Sequence, residues 1–193
     1  MRWLQSHREI LFFWTLFLFS RLLFLGRLPI FNDEAIIIYL SRVVFVNPSH
    51  WILLAIDGRQ PLFGLTIVLG QLLPVAPLIG ARLTMVAWSL VTFGVSLALA
   101  RELGLSARAR RFYALSLIVC PYLLFYDRMA LAESPIVALS VLAMLVTIKI
   151  IRRPSVGMGI ILGATLGIGW WYFSLILLLV PSMLILIIAY GIR

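Results

Sequence analysis

Side chains that could act on a substrate are gathered in three short segments of this sequence. They are Asn32-Asp33-Glu34, Asp57-Gly58-Arg59-Gln60-Pro61, and the run from Tyr126 to Ser134 that contains Asp127, Arg128 and Glu133. Together the segments hold five of the seven acidic residues of the chain. A carboxylate can accept a proton from a hydroxyl, and a guanidinium can bind a phosphate through two parallel hydrogen bonds. These residue types therefore suit acid–base chemistry beside a phosphate group.

The first segment opens a predicted short helix, with Asn32 as the expected N-cap. The helix dipole stabilises the ionised carboxylates of Asp33 and Glu34 in its first turn, and an ionised carboxylate can serve as a general base. The same two residues would also suit an amphipathic helix that lies at a membrane interface and does no chemistry. Spacing alone favours neither interpretation.

The second segment is a polar turn followed by a proline that can restart a helix. In the functional interpretation, Arg59 is a fixed cation for a phosphate, and Asp57 orients it or holds a divalent metal ion. Gln60 belongs to the same predicted substrate-binding segment. A turn with no chemical role is the alternative.

The third segment lies between two apolar stretches, and Ser134 before Pro135 is the expected N-cap of the helix that follows. Glu133 would stand at the mouth between two membrane spans, where an ionisable group is costly and is a functional candidate by default. Asp127 and Arg128 either bind substrate or anchor a helix end at the interface. Arg21 lies near the outer end of the first apolar stretch, and we expect its side chain to snorkel toward water.

The composition predicts an all-α, polytopic integral membrane protein. Hydrophobic residues make up 63% of the chain and charged residues 12%, and the mean hydropathy is +1.11. Soluble domains have roughly 45–50% apolar and about 25% charged residues. The net charge of +9 is spread between apolar stretches, so membrane topology explains it better than nucleic-acid binding. The single cysteine, Cys120, excludes an internal disulfide framework.

Six stretches are candidates for membrane spans, since about 20 apolar residues cross the hydrocarbon core. They are residues 10–27, 81–100, 109–126, 135–151, 155–171 and 174–190. The last two are separated because 156–190 carries no charge and is too long for one crossing. We predict a hairpin near 171–174, with Pro181 as the alternative turning point or as a kink. Gly159, Gly163 and Gly167 predict a face for close helix packing.

Residues 61–79 could form either another span or juxtamembrane helices. Cytoplasmic loops collect Lys and Arg. If this stretch does not cross, ten of the sixteen basic residues share the cytoplasmic side with the N-terminus. All five acids of the three segments then lie on the outer face. We therefore predict juxtamembrane helices in the first outer loop.

The three segments, with Ala81-Arg82-Leu83 between the second and third, resemble the N-terminal half of the GT-C glycosyltransferases. The pattern is most similar to bacterial protein-mannosyltransferase-like and aminoarabinose-transferase-like enzymes that use polyprenyl-phosphate sugars. Four weak motifs in the same order and at matching topological positions carry the resemblance. It implies an all-helical membrane fold, with Asp33 as catalytic acid–base residue, Glu34 as its partner and Glu133 as the acid of the second outer turn.

The resemblance also implies that the segment around Asp57, Arg59 and Gln60 lines the cavity for the lipid phosphate or a divalent metal ion. The sequence departs from the family at three places. Ile37 replaces a common tyrosine, Glu133 replaces a common aspartate, and Tyr172-Phe173-Ser174 stands where relatives have a Thr-Lys-Gly-like segment. Relatives are also two or more times longer. We therefore expect residues 1–193 to be one transmembrane domain, the N-terminal portion of a longer enzyme.

The expected activity is inverting transfer of a sugar from a polyprenyl-phosphate carrier to a hydroxyl on the outer face of a bacterial or archaeal plasma membrane. The acceptor could be a protein, a lipid or a glycan, and the one cofactor expected is a divalent cation with unassigned ligands. Two alternatives remain open. One is a non-catalytic membrane component that binds or transports lipid-linked sugars, and the other is an inactive N-terminal fragment.

Overall fold

The computed structural model describes the backbone of residues 2–58 and 60–191 and the side chains of residues 8–55 and 60–190. Every regular element in these ranges is a helix, which confirms the all-α prediction. The α-helices are α1 (Arg2–Leu22), α2 (Asn32–Val46), α3 (Pro61–Gly70), α4 (Pro77–Glu102), α5 (Ala107–Val119), α6 (Pro121–Tyr126), α7 (Glu133–Arg152), α8 (Val156–Tyr172) and α9 (Leu179–Gly191). Two 3-10 segments, Pro48–Gly58 and Ser174–Leu178, join α2 to α3 and α8 to α9.

Helices α4 and α7 are long and apolar enough to cross a membrane. At 26 and 20 residues they extend about 39 and 30 Å, given the 1.5 Å rise per residue. The two helices run in the same direction. Glu102 at the end of α4 pairs with Arg152 at the end of α7, while Ser134 near the start of α7 donates to the carbonyl of Met85 in the first half of α4.

The predicted architecture of six spans is not confirmed, because only these two helices within the described residues meet the length and hydropathy of a span. The third predicted span is divided into α5 and α6 at Cys120 and Pro121. Helices α8 and α9 have 17 and 13 residues, shorter than a full crossing. Helix α8 ends at Tyr172 and Phe173 is extended, so a helix boundary lies in the predicted segment 171–174, while the predicted hairpin between two spans stays a prediction. Pro181 lies inside α9.

Pro121 causes the break between α5 and α6. A proline has no N–H to donate to the carbonyl four residues earlier, and it forces the preceding residue out of helical geometry. Cys120 accordingly has φ −57° and ψ 117°. The carbonyl left without its helical donor is that of Leu117, and the guanidinium of Arg21 supplies the bond from Nη2 at 2.9 Å. Arg21 Nη1 donates to the carbonyl of Ile118 at 2.7 Å.

The first loop packs against α4. Helix α3 has ten residues, about half the length needed to cross, as expected of a juxtamembrane helix. Its last residue, Gly70, meets Gly80 of α4 so closely that a Cβ on either residue would run into the other's backbone carbonyl. The two glycines therefore let α3 and α4 cross with their backbones in contact.

Two predictions of helix caps are wrong. The helix predicted to be capped by Asn32 has Phe31 as its N-cap, and α7 begins at Glu133, one residue before the predicted cap Ser134. The reason is that each expected cap has a competitor: the Glu34 carboxylate accepts from the Phe31 N–H at 3.3 Å, and the Ser134 hydroxyl is bonded to the neighbouring segment. Within the described part of the chain, Gly159, Gly163 and Gly167 of α8 have no packed neighbour, so their predicted role in close helix packing stays a prediction.

The two ends of the bundle differ in charge. Glu9 pairs with Arg111 and Glu102 with Arg152, so the start of α1, the end of α4, the start of α5 and the end of α7 lie together. We call this the basic end. The opposite end, which we call the acidic end, holds four of the five acids predicted to share a face. They are Asp33, Glu34, Asp127 and Glu133.

Candidate functional site

A cavity of about 390 Å³ opens at the acidic end, within the size range of sites that bind small molecules. Asp33 from the first turn of α2 and Glu133 from the first residue of α7 both line it. The other walls are largely apolar and aromatic. Phe63, Tyr122 and Tyr172 contribute rings. Two predicted catalytic carboxylates, 100 positions apart in the sequence, thus share one half-enclosed space.

Glu34 points away from this space and is fully buried against Arg82 of α4. Arg82 Nε lies 2.7 Å from Glu34 Oε1, and Arg82 Nη2 lies 2.7 Å from Glu34 Oε2. Glu34 Oε1 also accepts a hydrogen bond from the backbone N–H of Ala130 at 2.8 Å. Glu34 therefore links the start of α2 to the segment that precedes Glu133. Its predicted catalytic role stays a prediction, and its contacts are those of a positioning residue.

All five N–H donors of Arg82 are used. Besides the two bonds to Glu34, Nη1 donates to the carbonyls of Leu25 at 2.7 Å and Leu28 at 3.1 Å, and Nη2 donates to that of Pro29 at 3.2 Å. A guanidinium has five donors in a fixed fork, so no other side chain could satisfy this set. The loop between α1 and α2 is thereby attached to α4, which fixes where Asp33 enters the cavity.

Asp127 is also buried in an ion pair. Its Oδ2 lies 3.0 Å from Nε of Arg21, and its Oδ1 accepts from the Ser134 hydroxyl at 3.1 Å. Burial raises the pKa of the Asp127 carboxyl above its ordinary value, and the Arg21 guanidinium, followed by the Ser134 hydroxyl, offsets part of that rise. The expected snorkelling of Arg21 is wrong, because its side chain is completely buried. Asp127 is placed to hold the α6–α7 turn.

Arg128 lies beside the same turn. Its Nη2 donates to the carbonyl of Leu23, and its buried Nε has no hydrogen-bond partner in the described part of the chain. Burial, together with the positive charge of Arg82, lowers the pKa of Arg128. Arg128 is not among the residues that line the cavity, so its substrate-binding role stays a prediction.

The second predicted segment is only partly described. Arg59 and the side chain of Asp57 lie outside the described residues, so their predicted roles stay predictions. Gln60 Nε2 donates to the hydroxyl of Ser174 at 3.4 Å, a long contact that brings this segment to the residues after α8. Phe173 and Leu175, on either side of Ser174, line the cavity. Gln60 is therefore close to the cavity rim.

Tyr172 forms part of the wall and was not assigned a role from the sequence. Its hydroxyl shares a hydrogen bond with Thr66 of α3, and Trp88 packs against its ring edge-on at a centroid distance of 5.4 Å. Thr66 and Trp88 line a neighbouring apolar groove of about 280 Å³ between α3 and α4. Tyr172 thus stands between the acidic cavity and this groove.

Sequence reasoning missed the partners of Arg21 and Arg82. The available signal was the presence of an arginine inside an apolar stretch, since such a residue usually pairs with an acid or with backbone carbonyls.

Among the residues described, no three or more His, Cys, Asp or Glu side chains gather as a metal-binding group. No protein-family model, curated protein or solved structure matches this chain.

Proposed function

We propose that the chain forms the catalytic part of a membrane glycosyltransferase that moves a sugar from a polyprenyl-phosphate carrier to an acceptor hydroxyl with inversion. The observation that carries the proposal is the cavity that Asp33 and Glu133 share. Its aromatic and apolar walls suit a sugar ring and the start of a lipid chain, because ligand sites combine apolar lining with a few convergent polar groups.

In the proposed reaction, the Asp33 carboxylate takes the proton of the acceptor hydroxyl. The hydroxyl oxygen bonds to the anomeric carbon of the sugar while the bond from that carbon to the carrier phosphate breaks. The electron pair leaves with the phosphate, and the proton stays on Asp33. General-base assistance of this kind contributes typically about 10²- to 10⁴-fold to a rate.

The leaving phosphate needs positive charge, for which Arg59 and Arg128 are the proposed sources. Glu133 orients the acceptor from the opposite wall of the cavity. A divalent cation would draw its protein ligands from Asp33 and Glu133, because Mg²⁺ commonly uses one or two carboxylates together with substrate phosphates. Glu34 and Asp127 act through Arg82 and Arg21, as positioning residues that hold the two walls in place.

The proposed orientation places the acidic end at the outer face and the N-terminus in the cytoplasm. Support comes from the basic end, which carries most of the described Lys and Arg residues, as cytoplasmic ends of membrane proteins do. The membrane would be the plasma membrane of a bacterium or archaeon. Assays use the protein that the whole gene encodes, in membranes.

Asp33→Asn tests the proposal in membranes that contain the product of the complete frame. Undecaprenyl-phosphate mannose and undecaprenyl-phosphate aminoarabinose are the donors, and release of undecaprenyl phosphate is the readout. We expect turnover to fall at least about 100-fold, since the amide cannot accept the proton. Glu9→Gln removes an exposed carboxylate at the basic end and is the matched control.

Unchanged turnover in Asp33→Asn would refute the assignment. If neither donor is turned over by the unaltered protein while undecaprenyl phosphate still binds, the carrier-binding alternative replaces the enzyme. Binding is followed by tryptophan fluorescence. Trp88 is a useful reporter because it lies between the groove and Tyr172.

A further inference from the structure

The basic end is rich in positive charge that the described acidic side chains do not neutralise. Two acidic residues, Glu9 and Glu102, lie there, and each is already engaged by an arginine. Eight basic residues with described side chains belong to this end, and two of them, Arg111 and Arg152, pair with the acids. Six positive charges remain, those of Arg8, Arg101, Arg108, Arg110, Lys149 and Arg153.

The turn between α4 and α5 presents part of this charge in a fixed arrangement. Gly104 has φ +72°, a left-handed conformation that glycine adopts without a steric penalty. Its N–H bonds to the carbonyl of Arg101 at 2.9 Å, and the next N–H, of Leu105, bonds to that of Ala100 at 3.1 Å. This pair of bonds is a Schellman motif, which ends α4 sharply. Arg101 and Arg108 consequently flank one tight turn.

Apolar side chains are exposed among these arginines. Leu103 and Leu105 in the turn have 51% and 36% of their surface exposed, and Phe112 on the next helix has 62%. The guanidinium of Arg108 lies over the ring of Phe112, 5.8 Å from its centre. The surface therefore offers cations and hydrocarbon side by side, directly at the end of a helix that is long enough to cross a membrane.

From these contacts we infer that the basic end binds the headgroups of anionic phospholipids, with Arg101 and Arg108 as principal ligands. Clusters of four to eight Lys and Arg next to a membrane span attract anionic lipids. A phospholipid also supplies acyl chains for Leu103, Leu105 and Phe112, which a free phosphate or a nucleic-acid backbone would leave in water. The inference does not depend on the glycosyltransferase proposal.

The test compares lipid binding by two double variants of the purified protein. Arg101→Gln with Arg108→Gln removes two exposed arginines that take part in no ion pair within the described part of the chain. Arg27→Gln with Arg42→Gln is the matched control. These arginines are also exposed, and each lies over a phenylalanine ring as Arg108 does, but they sit in the loop after α1 and in α2. Native mass spectrometry measures binding of phosphatidylglycerol and of phosphatidylcholine with the same acyl chains.

We expect phosphatidylglycerol to bind the unaltered protein and the control with equal affinity, and in preference to phosphatidylcholine. Each arginine near a charged membrane surface contributes roughly five-fold, so the Arg101/Arg108 variant should bind phosphatidylglycerol on the order of thirty-fold more weakly. Arg101→Lys with Arg108→Lys should retain most of the affinity. Equal binding by the two glutamine variants, or equal binding of the two lipids by the unaltered protein, would overturn the inference.

Discussion

Arg82 and Glu34 form a buried ion pair with two parallel hydrogen bonds, both 2.7 Å long, and both side chains are fully shielded from solvent. The pair lies one residue away from Asp33 and, through the N–H of Ala130, three residues away from Glu133. A buried pair of this kind stabilises a particular arrangement of chain segments more clearly than it stabilises the fold as a whole. Here the pair fixes the positions of Asp33 and Glu133 on the walls of the acidic cavity relative to each other.

Removing the Arg82 guanidinium should therefore destabilise the protein strongly. Arg82→Met leaves the Glu34 charge buried without its cationic partner, and breaking a buried pair in this way costs about 3–5 kcal/mol. Thermal unfolding in detergent measures the loss. Arg27→Met, at an exposed position near the same loop, should change the melting temperature little. Equal melting temperatures for the two variants would show that the Arg82–Glu34 pair does not hold the loop.

The second buried pair, between Arg21 and Asp127, should show coupling in a double-mutant cycle. Arg21→Met alone removes the cation that pairs with the Asp127 carboxylate and the donors to the carbonyls of Leu117 and Ile118. Asp127→Leu alone leaves the buried Arg21 guanidinium without its carboxylate partner. The double variant should cost less than the two single losses added together, by at least about 1 kcal/mol. Chemical unfolding of the four proteins provides the energies. Additive losses would mean that the two side chains do not interact.

Two glycine substitutions should have opposite effects. Gly80→Ala places a methyl group against the backbone of Gly70 and should cost about 1–3 kcal/mol, because neither helix backbone can move aside easily. Gly163→Ala on α8 meets no packed neighbour, and alanine is about 1 kcal/mol better than glycine in a helix interior. Unfolding temperatures of the two variants check the difference. A loss at Gly163 equal to that at Gly80 would indicate that the α8 face is covered.

Glu133→Gln should lower turnover of the polyprenyl-phosphate donors, because the amide has no charge with which to orient the acceptor. The side chain is half-buried on the cavity wall, so the amide keeps its shape but loses its charge. Asp127→Asn offers the contrast. It should lower the melting temperature because it weakens the buried contact with Arg21. A Glu133→Gln enzyme with full turnover would remove this residue from the proposed reaction.

The sequence alone determined the helical class of this protein, one helix boundary and the end of the bundle at which two acids lie. The apolar stretches predicted all-helical structure and a helix boundary at 171–174, and the distribution of Lys and Arg predicted that Asp33 and Glu133 lie at the same end of the bundle. These features depend on composition and on neighbours within a few residues. The prediction of six spans is not confirmed by the structure. Pro121 interrupts one of the apolar stretches, and two others form helices that are shorter than a membrane crossing.

Tertiary structure alone decided which charges meet. Arg21 and Asp127 are 106 positions apart, and Arg82 and Glu34 are 48 apart, so no local pattern could pair them. The same long-range packing turned Glu34 toward Arg82 and left Asp33, its neighbour, on the cavity wall. A helix start presents consecutive side chains in different directions, and only the position of α4 determined which carboxylate would be buried.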